Sequence, residues 1–153
     1  MSAYDITDCG PEQAAEARDL IRGVLCGEFD AAEDPTDSED LQDIQATYAP
    51  EGNRFLITMI DGQVVATGAL LGLSSQDCEL KWLFARHDHR REGLASALVG
   101  KLLPFAVQNG YKRVLLEIRP EMAPYRKVYR RYGFDDLPDE HAPRAKPFMV
   151  IDL

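Results

Sequence analysis

The chain has 153 residues, with 17 Lys and Arg against 26 Asp and Glu, a net charge of −9. That length suits one domain over residues 1–153 with a core that needs no disulfide or structural metal, and the negative balance argues against a general nucleic-acid binder. Cys9, Cys26 and Cys78 are odd in number and form no Cys-x-x-Cys or Cys/His spacing, which fits a reducing cytoplasm and no bound zinc.

Residues 3–8 read as a short strand. Pro11 suits a first helical position, and Ala14, Ala17, Leu20, Ile21, Val24 and Leu25 recur at helical spacing to about Cys26. Gly27–Asp37 is acidic, carries Pro35 and reads as a loop. Thr36 with Glu39 three residues on is a capping-box pattern that opens a second short helix through about Thr47. Pro50-Glu51-Gly52-Asn53 is a turn. Phe55–Ile60 and Gln63–Leu73 flank Asp61-Gly62, a strong hairpin signal, and Cys78–Ala85 follows as a third antiparallel strand. A long helix is expected from about Gly93 to Asn109, stopped by Gly110. Arg113–Ile118 reads as a buried strand, Pro124 opens a helix ending at Tyr132 before Gly133, and Phe148–Leu153 closes the chain as a strand. Met1-Ser2-Ala3-Tyr4-Asp5 has neither a basic nor an apolar leader region, and no apolar run approaches spanning length. A soluble, cytoplasmic protein without membrane contact is expected.

Charge is unevenly spread. Residues 1–80 hold 17 acidic and 3 basic side chains, residues 81–153 hold 9 acidic and 14 basic. An anionic ligand therefore belongs to the carboxyl half. The carboxylates of residues 28–43 either face a cationic acceptor or merely solvate the surface. In the basic half, Arg90-Arg91-Glu92-Gly93-Leu94-Ala95 lies between a strand and a helix start. That order suits a pyrophosphate: first-turn N–H groups point at the anion, the helix dipole favours its charge, and glycine lets the backbone come close. About thirty residues on, Val128-Tyr129-Arg130-Arg131-Tyr132-Gly133-Phe134 is a short helix ending at a glycine.

Together these two segments resemble the signatures of the GNAT superfamily of acyl-CoA N-acyltransferases. Arg90, Gly93 and Ala95 meet its Gln/Arg-x-x-Gly-x-Gly/Ala pattern. Tyr129, Gly133 and Phe134 meet Leu-Tyr-x-x-x-Gly-Phe, with Val128 replacing leucine. Glu79-Leu80-Lys81-Trp82-Leu83-Phe84 and Leu116-Glu117-Ile118-Arg119-Pro120-Glu121-Met122 are further similar to a bacterial GNAT subgroup of N-acetyltransferases. The resemblance implies an α/β (α+β) fold with a mixed, mostly antiparallel sheet flanked by helices and splayed strands at the cofactor site. It implies transfer of acetyl from acetyl-CoA to a primary amine of a small molecule or peptide, directly and without a metal. An acyl-CoA-binding module without turnover is the alternative, and a homodimer is left open.

By the same resemblance, Arg90, Arg91, Glu92, Gly93, Leu94, Ala95 and Ser96 cradle the pyrophosphate, and Leu83, Phe84 and Ala85 supply the strand edge for pantetheine. Glu92 opposes an anion unless it faces solvent. Tyr129 is the general-acid candidate, Glu79 the first candidate for a base acting through water, and Glu117 the second. Met122 stands where the family often has an asparagine. His87, Asp88 and His89 fill a turn and are too thin a set for a metal. The segment Asp135–Pro147 is expected as a loop walling the acceptor site opposite residues 28–43.

Overall fold

The computed structural model describes residues 4–153; the expected strand start at Ala3 lies outside the described residues. Strands β1 (Asp5–Asp8), β2 (Arg54–Ile60), β3 (Gln63–Gly72), β4 (Asp77–Ala85), β5 (Arg113–Glu117), β6 (Asp135–Leu137) and β7 (Phe148–Asp152) form one sheet in the order β1-β2-β3-β4-β5-β7-β6. Every neighbouring pair is antiparallel except β4 with β5. A parallel pair needs a long crossover, and α4 (Leu94–Gln108) supplies it. On one face of the sheet Leu98 and Leu102 of α4 and Tyr129 of α5 (Arg126–Arg131) pack on Leu56, Leu80 and Val114. On the other, Ala17 and Ile21 of α1 (Ala14–Arg22), Leu41 of α2 (Glu39–Gln42) and Ile44 of α3 (Ile44–Tyr48) pack on Ile57, Ala69 and Trp82. This is the mixed, helix-flanked sheet that the sequence implies.

Local chemistry moves several boundaries. Helix α1 starts after Pro11, because the Gln13 side chain accepts from the Gly10 N–H at 2.9 Å and holds residues 11–13 in a turn. Beyond Arg22 the chain widens into a π turn, Gly23–Glu28. The expected capping box does not form. Asp34 accepts from the Thr36 N–H and hydroxyl at 2.9 and 2.7 Å, which places Thr36 in a 3-10 turn, and Ser38 precedes the helix instead. The second helix also breaks at Asp43, whose carboxylate caps α3 at the Ala46 N–H. At the hairpin, Asp61 and Gly62 both take positive φ, 50° and 77°, as a two-residue turn matched to strand twist demands.

One irregularity shapes the middle of the sheet. Ala69 pairs with Lys81 but Thr67 pairs with Phe84, so Trp82 and Leu83 together oppose Gly68. Trp82 has φ of 54°, and Thr67 Oγ1 donates to its carbonyl at 2.6 Å. This bulge interrupts the two-residue alternation. Leu80, Leu83 and Ala85 face the α4 side, whereas Trp82 and Phe84 face the α1 side. Pairing of β4 with β5 ends at Glu79 and Leu115. From Leu80 onward β4 keeps β3 on one edge while its other edge has no strand partner, so the two parallel strands splay.

Candidate functional site

The splay opens a cleft with two lobes. The larger, about 660 Å³, is lined by Leu83, Phe84, Ala85, Arg90, Arg91, Gly93, Leu94, Ala95, Ser96 and Tyr129. The fold brings these ten sequence-predicted residues together, and Val24, Phe29, Tyr125, Arg131 and Tyr132 are among the eight others that line the lobe. Gly93 has φ of 76° and precedes α4 with no side chain capping the first turn. A Cβ built on Gly93 meets nothing within 4 Å, so the approach to these N–H groups is open. Exposed first-turn donors on a left-handed glycine, beside basic side chains, fit a pyrophosphate. Glu92 is not part of the lining; it points to solvent and contacts His89 Nδ1 at 3.2 Å.

Arg90 departs from the simple expectation. Its guanidinium forks onto Glu28 of the π turn, and its Nε and Nη2 also donate to the Ala85 carbonyl at 3.3 Å. That hydrogen bonding holds the Glu28 carboxyl below its ordinary range. Phe29 lies beneath the same guanidinium and meets Tyr125 edge-on, with ring centroids 5.7 Å apart. Glu28 thus sits against Arg90 and takes no part in the lining of the smaller lobe.

The smaller lobe, about 400 Å³, is lined by Asp40, Glu79, Lys81, Glu117, Arg119 and Arg144 among others. Leu83, Phe84, Met122 and Tyr129 line both lobes, so the lobes adjoin at the end of the splay. The Tyr129 phenol is pushed up to about 12, mainly by burial, and its hydroxyl has no hydrogen-bond partner among the described residues. Met122 brings no polar atom to this junction. Glu79 is 2% exposed. Arg144, from the segment between β6 and β7, donates to both Glu79 oxygens at 3.1 and 2.7 Å and to Glu117 Oε1 at 2.7 Å. Arg144, Lys81 and Arg119 went unnoticed in the sequence, since lone basic residues carry no spacing signal. Half of the eight carboxylates at 28–43 make internal pairs: Glu28 with Arg90, Asp34 with Arg22 and Thr36, Asp43 with α3, and Asp40 through Oδ2 with Tyr48, Trp82 and Lys81.

His87, Asp88 and His89 turn to separate partners, Glu28, Arg86 and Glu92. Among the described residues no group of three or more His, Cys, Asp or Glu side chains could hold a metal ion, and no helix is long and apolar enough to cross a membrane.

The chain is similar to known proteins. Zebrafish (Danio rerio) N-acetylaspartate synthetase is 30% identical over 137 residues, covering 86% of this chain and 46% of that protein. The chain spans about half the length of the curated relatives it matches. A GNAT-family acetyltransferase from Staphylococcus aureus Mu50 superposes with a TM-score of 0.88 at 20% identity over 99% of both chains. Neisseria gonorrhoeae N-acetylglutamate synthase, solved with coenzyme A and L-arginine, superposes with a TM-score of 0.75 at 15% identity over all of this chain and 34% of that one. At such identities the superpositions establish the shared fold. The family model described as Acetyltransferase (GNAT) family matches residues 19–134, a span that runs from α1 through the turn before α4 to Phe134, and this chain belongs to that family.

Proposed function

We propose that this protein is an N-acetyltransferase, one domain that carries acetyl from acetyl-CoA directly to a primary amine. The observation that supports it most is the adjoining of two unlike lobes at Tyr129, one with open helix N–H groups, the other lined by charged side chains of both signs. Leu94, Ala95 and Ser96 would hold the pyrophosphate through backbone donors, and the free edge of Leu83–Ala85 would pair with pantetheine. Bound acetyl-CoA supplies the activated thioester. Holding both partners in one cleft replaces a bimolecular encounter by an oriented one, worth several kcal/mol. Tyr129, kept neutral by burial, is the acid for the departing sulfur. Glu79 is the base that takes the amine proton through a water, with Arg144 as its counter-ion. No thiol competes as nucleophile: burial pushes Cys9 and Cys78 up to about 11 and about 12, and Cys26 lines neither lobe.

We further infer an acceptor that carries a carboxylate beside its amine. Lys81, Arg119 and Arg144 bring positive charge into the smaller lobe beside Glu39, Asp40, Glu79 and Glu117. Arg119 uses Nε on Glu121 and leaves both Nη atoms without a partner among the described residues. The zebrafish and gonococcal relatives are named for acetylated aspartate and glutamate. The test is release of free CoA from acetyl-CoA across L-aspartate, L-glutamate, putrescine and a basic peptide, at low and high salt. Transfer to an amino acid supports the reading. Tight acetyl-CoA binding by calorimetry with no release from any amine would make the protein a binding module.

A further inference from the structure

We propose that Asp40 is the carboxylate on which the acceptor's ammonium group docks, an assignment that rests on the acetyltransferase reading. Asp40 lines the smaller lobe and is 7% exposed. Two donors converge on its Oδ2, the Tyr48 hydroxyl at 2.8 Å and Trp82 Nε1 at 2.7 Å, and Lys81 Nζ forms an ion pair with the same oxygen at 3.3 Å. Oδ1 has no hydrogen-bond partner among the described residues. A carboxylate offers about four lone-pair sites, and Oδ1, on the wall of the lobe, keeps its own open to solvent. Such an oxygen on a cavity wall is a binding group held ready.

The other carboxylates of the lobe are less suited. Glu79 gives both oxygens to Arg144, Glu117 gives Oε1 to the same guanidinium, and Glu39 is exposed. Asp40 is also held in place, since Trp82 and Tyr48 are themselves buried. Trp82 is the bulge residue, so the irregularity that frees the edge of β4 also brings an indole donor to Asp40. An aliphatic amine with a pKa of about 8 to 10 arrives mostly as ammonium at neutral pH. Its N–H groups make charge-assisted hydrogen bonds to a carboxylate, stronger than those an alcohol makes.

The test needs no turnover. Calorimetry on the CoA-loaded protein compares each amine with its hydroxyl counterpart, L-aspartate with L-malate and putrescine with 1,4-butanediol. The parent should prefer the amine by about tenfold or more in at least one pair, and Asp40→Asn should bring that preference within about threefold. Should Asp40→Asn fail to fold, Lys81→Met removes the cation that shares Asp40, and the preference should widen by about threefold. No preference in the parent, a preference that survives Asp40→Asn, or one that narrows in Lys81→Met overturns the assignment. A preference that depends on Asp40 in a protein that releases no CoA keeps the docking site and removes the transferase reading.

Discussion

Arg144 stands 65 residues from Glu79 in sequence, yet its two Nη atoms meet both Glu79 oxygens and one of them also reaches Glu117 Oε1. The pair ties the segment before β7 to the point where β4 and β5 part. Glu79 is almost wholly buried, whereas Arg144 keeps a side chain 41% exposed. Removing the arginine alone strands a buried charge, which costs several kcal/mol when the site is dry and less where solvent reaches it. Arg144→Met should therefore destabilise by about 2 kcal/mol, and the double variant with Glu79→Gln should lose less than the sum of the two single changes. Urea unfolding of the four proteins in a double-mutant cycle reads this coupling; strict additivity would mean that the contact contributes nothing.

Tyr129→Phe removes the hydroxyl at the junction while keeping the packed ring. Turnover should fall by roughly 10²–10⁴-fold with the CoA dissociation constant little changed. Because burial lifts the phenol to about 12, the parent should show no loss of rate from Tyr129 ionisation up to pH 10. Steady-state rates and calorimetry from pH 6 to 10 decide it, and unchanged turnover in the variant would leave Tyr129 a packing residue.

Glu28 and an incoming phosphate compete for one guanidinium. Glu28→Gln should lower the dissociation constant for CoA by about three- to tenfold at low salt, with the gain shrinking as salt is added. The carboxyl is held below its ordinary range by Arg90, so the pairing is present above the unfolded value and is lost as pH falls through the folded one. The gain should be constant from pH 6 to 9, and calorimetry at those two ends checks it. Weaker CoA binding in the variant would mean that Glu28 supports the bound state.

Alkali should loosen the fold before it alters the cleft. Cys9, Cys78 and Tyr129 are all raised by burial, to about 11, about 12 and about 12. A raised value means that the folded state keeps protons which the unfolded chain releases. The stabilisation is complete below the unfolded values, about 8.5 for thiols and 10 for phenols, and is lost as pH climbs toward the folded ones. Urea midpoints should be level from pH 7 to 8 and decline above about pH 9. Cys78→Ser, which removes one of the thiols, should flatten the first part of that decline.

Much of this site was legible because its chemistry is local. A phosphate cradle needs a strand end, a glycine and a helix start in succession, and Arg90 to Ser96 offer that order in seven positions; Asp61-Gly62 likewise specifies its own turn. The segments that carry Arg144 and Asp40 were expected at the acceptor site, but these two residues did not stand out within them, because their roles come from atoms supplied by Glu79, Trp82 and Tyr48, far away in sequence. The capping box failed for a related reason: Asp34, two residues upstream, competes for Thr36 and wins by taking both its N–H and its hydroxyl. The three residues of β6 are too few to show a period, and only their pairing with β7 makes them a strand.

The bulge in β4 makes chain length itself a determinant of chemistry. A strand segment with period two has only two settings, and one residue more or less exchanges them. Because Trp82 and Leu83 share a single opposing residue, everything before them is set in one phase and everything after in the other. Glu79 and Lys81, which line the smaller lobe, and Leu83 and Ala85, which line the larger, thus depend on a count rather than on any contact. Deleting one residue between Lys81 and Phe84 would leave composition and hydrophobicity almost unchanged, yet it would turn the free edge of β4 over relative to the smaller lobe. In this strand an insertion or deletion acts like a change of gear, and the tolerance that surface loops show to such changes should be missing here.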